Sequence, residues 1–184
     1  VPLNDHGLRQ AQAMAAGAAR HVFAAIYCSD LQRARDTAAA LAQGRGLQPQ
    51  PLPQLRERHF GILQGLTAAE AVQRQPDAYA RHKARDLDCD FETGESLRAF
   101  AARAIKALRD RAARHPNQTV AVVSHAGVLD ALYREATGRP LHTARDFAIP
   151  NCALNWFAYD GERWQLEAWD DPRSLPGGSR EAVE

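Results

Sequence analysis

The sequence is poor in the residues that staple, anchor or span. Three cysteines, Cys28, Cys89 and Cys152, stand far apart among 184 residues with no CxxC pair. That excludes a disulfide framework and a zinc site as organising features, and makes a reducing cytoplasm the expected compartment. No run approaches the ~18 to 20 consecutive apolar residues of a membrane helix, so no membrane partner is expected. Net charge is almost absent: 23 basic residues against 22 acidic ones leave a formal +1. Such a balance lacks the basic stripe of a nucleic-acid binder. Lysine is confined to Lys83 and Lys106, and the arginine skew carries no functional weight by itself. The opening, Val1-Pro2-Leu3-Asn4-Asp5, has neither an initiating methionine nor a basic cluster leading into an apolar run, so it reads as a start in mid-chain. What is present, 45% hydrophobic and 24% charged residues, fits one ordinary soluble domain and leaves little room for two cores.

Leu8, Ala11, Ala15, Ala18 and Val22 recur at three- and four-residue spacing, which predicts an amphipathic helix over 5–22 with Asp5 as its N-cap. Ala24-Ala25-Ile26-Tyr27-Cys28 followed by Ser29-Asp30 has the pattern of a buried parallel strand that delivers a loop. Asp30 is placed to cap a helix over about 31–43, stopped by Gly44-Arg45-Gly46. Pro49, Pro51 and Pro53 leave space only for a short edge strand. Residues 61–91 read as a polar, cap-like insertion with one or two short helices. Thr93-Gly94-Glu95-Ser96 opens a long helix that ends near His115-Pro116. Val120-Ala121-Val122-Val123 is the strongest buried-strand signal and runs straight into Ser124-His125-Ala126-Gly127. A helix over 128–137 follows, and then a hairpin pairs 153–159 with 164–169 around Asp160-Gly161-Glu162-Arg163. The tail 170–184 is expected to be loose. Helices alternating with buried strands predict a single α/β domain over 1–184 with helices on both sheet faces.

In such sheets ligands gather beyond the carboxyl ends of the strands. His125, just past a buried strand and before small residues, suits acid–base work, anion binding or nucleophilic attack; a loop-capping hydrogen bond is the alternative. Arg33 lies near a helix N-terminus, where backbone amides and a guanidinium can share one phosphate. The alternative is a solvated face on which Arg33 and Arg35 pair with Asp30 and Asp36. Arg56-Glu57-Arg58-His59 offers a carboxyl among cations, or a polar loop. Ser124 and Ser29 lack a nucleophile elbow, which argues against a serine hydrolase.

Taken in order, four segments resemble the motifs of the histidine phosphatase superfamily, in its phosphoglycerate mutase-like branch. They are Ser29-Asp30-Leu31-Gln32-Arg33-Ala34-Arg35-Asp36-Thr37, Leu55-Arg56-Glu57-Arg58-His59-Phe60-Gly61, Gly94-Glu95-Ser96 and Val122-Val123-Ser124-His125-Ala126-Gly127-Val128. Residues 1–11 also resemble the family segment leading into its first helix, so the likeness covers nearly the whole chain. It implies a three-layer sandwich with a mostly parallel sheet. It implies further that Arg33 clamps the transferring phosphoryl group, that a protonated His125 contacts the same group, and that Glu57 protonates the leaving oxygen. Ser29 and Arg58 match positions on the substrate side. Ala126, where many members have glycine, keeps its backbone amide available to substrate. No cofactor and no metal are implied.

One motif is missing. The family's nucleophile is a histidine in an Arg-His-Gly at the end of a central strand, and the sequence contains no Arg-His-Gly. Arg58-His59-Phe60 and Arg81-His82-Lys83 do not follow buried strands. An upstream segment carrying the motif, and with it the domain's first strand, is therefore expected. A sheet without its central strand would leave a row of unpaired groups at ~1 to 3 kcal/mol each, against a net stability of only ~5 to 15 kcal/mol. A non-catalytic phosphate-binding relative is the alternative. The implied function is a metal-independent phosphomonoesterase acting on a small phosphorylated metabolite through a phosphohistidine, with a phosphoglycerate mutase as runner-up. Mutases of the family carry a longer, basic insertion, whereas this one sets Arg81, Lys83 and Arg85 against Asp86, Asp88 and Asp90. The expected partners are a small phosphate ester and, at most, a second copy of the chain in a homodimer.

Overall fold

Ala25–Cys28 (β1) is buried at all four positions because it is covered on both faces. In the computed structural model, which describes residues 1–171, β1 runs parallel to Gln50–Pro51 (β2) on one edge and to Val120–Val123 (β3) on the other. The sheet order is β2-β1-β3, with Ala25 opposite Val120 and Cys28 opposite Val123. The two-residue side-chain period sorts these strands into two cores. Ala25, Tyr27, Val120 and Val122 face one core, packed with Leu97, Phe100, Ala104, Val128 and Leu132. Ile26, Cys28, Ala121 and Val123 face the other, packed with Met14, Ala18, Ala38 and Leu41.

Those helical residues come from four helices. Asp5–Gly17 (α1) and Gln32–Ala42 (α2) cover one sheet face, while Leu97–Ala112 and Ala126–Thr137 cover the other. The result is the expected three-layer α/β sandwich. Between them the insertion holds Ala68–Arg74 (α3) and Pro76–Lys83 (α4), so the long helix is α5 and the one after β3 is α6. A capping box between Thr67 and Glu70 starts α3, and Pro76 in the first turn starts α4.

The insertion has a small core of Leu63, Ala71, Cys89 and Phe91, backed by Phe60, Ile62 and Tyr79. Its two ends meet backbone to backbone. Gly61 (φ 51°) leaves no space for a Cβ against the Phe91 carbonyl, and a Cβ on Gly94 would overlap the His59 carbonyl. Only glycine permits that crossing.

Trp156–Tyr159 (β4) and Trp164–Ala168 (β5) form a separate antiparallel hairpin. Trp156 packs on the α1/α2 core, while Phe157 and Trp164 pack on the α5/α6 core. β4 thus lies within the sheet layer, yet among the described residues it is hydrogen-bonded to neither β1 nor β3.

Several boundaries differ from expectation, among them those of α1, α2 and α6. α1 ends at Gly17, five residues before Val22, and its cap is Asn4, whose side chain accepts from the Gly7 amide (2.9 Å). Glycine is a poor helix interior, and Val22 is left 87% exposed. α2 has Leu31 at its N-cap with no side-chain bond, because Asp30 turns to Arg56 instead (2.6 and 2.7 Å). α6 starts at Ala126, two residues early, with His125 at the N-cap. The tail expected to be loose lies, from residue 172 on, outside the described residues.

Candidate active site

β1 and β3 run parallel and in register, so the residues that follow them emerge side by side. Ser29 is fully buried, its amide bound to the Val123 carbonyl (2.9 Å). Its hydroxyl meets His125 Nε2 at 2.8 Å and accepts from the Leu31 amide at 3.3 Å. Two motifs 96 residues apart in sequence are thereby joined by one buried hydrogen bond.

His125 is 7% exposed. Burial pushes its pKa down to about 4, the nearby Arg33 guanidinium adds to the fall, and Asp30 opposes it weakly. The imidazole is therefore neutral at pH 7. This differs from the protonated form that the resemblance implied, and the cause is a desolvated ring near a cation.

Arg33 sits in the first turn of α2, half-buried. The pairing of Arg33 and Arg35 with Asp30 and Asp36 does not form. Asp30 is held by Arg56, and Asp36 accepts from Gln32 (2.6 Å) and from the Leu3 amide (3.3 Å). Among the described residues no hydrogen bond or ion pair reaches the Arg33 guanidinium. An unpaired cation at a helix N-terminus beside a neutral histidine is a ready anion site.

Glu57 completes the group. Its Oε2 accepts from the Gly127 amide (3.0 Å) and its Oε1 from the Arg58 amide (2.9 Å). The carboxyl thus docks on the first turn of α6. A Cβ on Gly127 would overlap Glu57 Oε1, so the approach depends on that glycine. Ala126 occupies the first helical position beside it.

Arg58 is placed differently from its neighbours. It is buried, with Nε bound to the Glu95 carbonyl (2.8 Å) and Nη2 to the Cys89 carbonyl (2.9 Å). Its guanidinium also lies over Phe91 at 4.8 Å. Those bonds tie the end of the insertion to the Glu57 segment.

The sequence reading missed several supports. Ser124 Oγ donates to the Leu55 carbonyl (2.8 Å), Arg56 takes Asp30, and Arg103 and Glu95 pair beside the Glu57 segment. Only Gly94-Glu95-Ser96 carried a local signal, and Arg103 is one helical arginine among several.

A groove of about 720 Å³ between α5 and α6 shares no residue with this group. Its cations Arg98, Lys106, Arg109, Arg134 and Arg139 pair with Asp88, Asp110, Glu135, Asp130 and Asp146. An incoming anion would have to displace a carboxylate there, which is not the case at Arg33.

Comparison with known proteins identifies the family. The profile of a family described as the histidine phosphatase superfamily (branch 1) matches residues 1–172. Phosphoglycerate mutase-like protein 4 of Arabidopsis thaliana is 37% identical over 180 residues, covering 95% of this chain and 76% of that protein. A metal-independent phosphoserine phosphatase of the same plant is 34% identical over 177 residues, covering 94% and 72%. Among solved structures, Bacillus stearothermophilus YhfR superposes with a TM-score of 0.86 at 27% identity, covering 92% of this chain and 85% of that one.

Proposed function

Because the chain belongs to the histidine phosphatase superfamily, we propose that it is a metal-independent phosphomonoesterase acting on a small phosphorylated metabolite through a phosphohistidine. One observation carries the reading: Arg33, whose guanidinium meets no hydrogen bond or ion pair among the described residues, lies near enough to lower the pKa of buried His125, which is hydrogen-bonded to Ser29 at the shared end of β1 and β3. Arg33 and His125 hold the phosphoryl oxygens as negative charge spreads over them in the transition state. A bound dianion opposes Arg33 at the imidazole and draws the second proton onto His125. Ser29 orients that ring. Glu57, held by the Gly127 and Arg58 amides, gives its proton to the departing alkoxide and then takes one from the water that attacks phosphorus. The Ala126 amide is available to substrate at the first turn of α6. Arg58 acts mainly through the carbonyls it binds, and any contact with substrate is secondary.

The nucleophilic histidine is assigned to a strand outside these 184 residues that docks along the open edge of β3. Support comes from β4, which shares both cores with β1 and β3 but among the described residues pairs with neither. Phosphatase is favoured over mutase by the short insertion, whose arginines are held by carboxylates, Arg81 by Asp86 within it and Arg85 by Asp130 of α6. The relative named a metal-independent phosphoserine phosphatase points the same way.

The test uses the protein carrying that strand. It is expected to hydrolyse a generic phosphomonoester in excess chelator and to form an acid-labile phosphoenzyme. Loss of turnover in chelator would sink the mechanism. Return of the phosphoryl group to a second hydroxyl of the product would establish the mutase reading instead.

A further inference from the structure

Arg56–Phe60 belongs to no helix or strand, so the position of Glu57 depends on what holds the backbone to either side of it. On the N-terminal side Arg103, from the second turn of α5, donates through Nη1 to the Gln54 carbonyl (2.6 Å). Its Nη1 and Nη2 share the Arg56 carbonyl at 3.3 Å each. On the C-terminal side Glu95 Oε2 accepts from the His59 amide (3.3 Å), and the Glu95 amide donates to the His59 carbonyl (2.9 Å).

The two halves form one unit. Arg103 Nε meets Glu95 Oε1 and Arg103 Nη2 meets Glu95 Oε2, both at 2.7 Å. A side-on pair of this kind fixes the relative orientation of both side chains, which a single contact does not. All five guanidinium N–H groups are accounted for by these bonds. Both side chains are about three-quarters buried, at 25% and 27% exposed. The bracket also stands on a rigid element, since Ser96 caps α5 directly after Glu95.

We propose that Arg103 and Glu95 are positioning residues that hold the Glu57 carboxyl against the first turn of α6, and so govern protonation of the leaving group and not phosphate binding. The inference rests on the reading of Glu57 as the proton donor.

Arg103→Gln and Glu95→Gln, made in the protein carrying its nucleophile strand, are compared on an alkyl phosphate and on an aryl phosphate with an activated leaving group. The expected result is a kcat on the alkyl phosphate lowered on the order of 10- to 100-fold. The kcat on the aryl phosphate and both KM values should stay within about threefold. Arg103→Lys, which can reach Glu95 but not both carbonyls as well, should restore only part of the loss. Equal slowing of both substrates, or an effect confined to KM, would overturn the proposal. Should Arg103→Gln not fold, Glu95→Gln keeps the side-chain volume and reads the same quantity.

Glu57→Gln separates the two layers of the argument. If it shows no leaving-group selectivity itself, the reading of Glu57 falls. If it is selective while Arg103→Gln and Glu95→Gln are not, only the bracket falls. In the Glu57→Gln background Arg103→Gln should add no further selectivity, because no acid is left to position.

Discussion

A histidine ring that is 7% exposed and faces a guanidinium resists protonation. With a folded pKa of about 4 against a reference of 6.5, His125 makes stability depend on pH in a defined window. Above about 6.5 the ring is neutral in both states and contributes no slope. Between about 6.5 and 4 the unfolded chain binds a proton that the folded chain refuses, so stability is lost as pH falls, and below about 4 no further loss accrues. Imidazole titration by NMR should place His125 near 4 in phosphate-free buffer, and added inorganic phosphate should raise it. His125→Asn should flatten the decline of the urea midpoint between pH 6.5 and 4. A ring that titrates near 6.5 with no response to phosphate would remove His125 from the anion site. The identity of this residue was legible from an apolar strand running into Ser-His-Ala-Gly. Its protonation state was not, because desolvation and the approach of Arg33 arise only when two distant strands lie side by side.

Among the elements, the insertion is joined to α6 by an ion cluster that no local pattern could announce. Arg85, in a left-handed conformation (φ 53°), bonds Asp130 (2.6 Å) and the Leu141 carbonyl (2.7 Å). Asp130 also accepts from Arg134 (3.1 Å), whose side chain is 1% exposed. Removing the carboxylate would leave a buried guanidinium without its counter-charge. Asp130→Ala is therefore expected to cost about 3 to 5 kcal/mol, read as a urea midpoint lower by ~1.5 to 2.5 M for an m-value near 2 kcal/mol/M. Amide exchange in the insertion should rise along with it. Asp88→Ala breaks the Arg98 pair, whose side chains are 60% and 72% exposed, and should leave the urea midpoint close to that of the unchanged protein, because solvent screens the pair. Similar costs for the two variants would show that the cluster is not what pins the insertion. The strands and long helices were readable because their periods of 2 and 3.6 are local properties. Arg85 with Asp130 and Arg103 with Gln54 lie 45 and 49 residues apart, so only the fold could introduce them. The Asp30 cap failed for the same reason, since a partner 26 residues away proved the stronger claim on its carboxylate.

At the scale of the whole molecule, the arrangement of β3 and β4 sets a directional test. The Ala24 amide bonds the Thr119 carbonyl and the Ser29 amide bonds the Val123 carbonyl. In a parallel ladder alternate residues serve opposite neighbours, so the backbone groups of Val120 and Val122 point away from β1. Their side chains still reach the α5/α6 core, so these are interior positions with edge-like backbone. An unpaired edge at the centre of a layered sheet is a template for another strand, and each buried orphan group costs about 1 to 3 kcal/mol. In residues 1–184 alone, the Val122 amide should exchange much faster than the Ala121 and Val123 amides. In the protein that includes an upstream strand ending in Arg-His-Gly, the Val122 amide should become as protected as they are, and the urea midpoint should rise sharply. A Val122 amide that stays equally labile in the longer protein would show that the strand docks elsewhere, leaving Arg33 and His125 without a nucleophile in line. Full protection of Val122 already in residues 1–184, with new cross-strand contacts between β3 and β4, would mean that the sheet closes on itself, and the phosphate-binding, non-catalytic alternative would then be the better description.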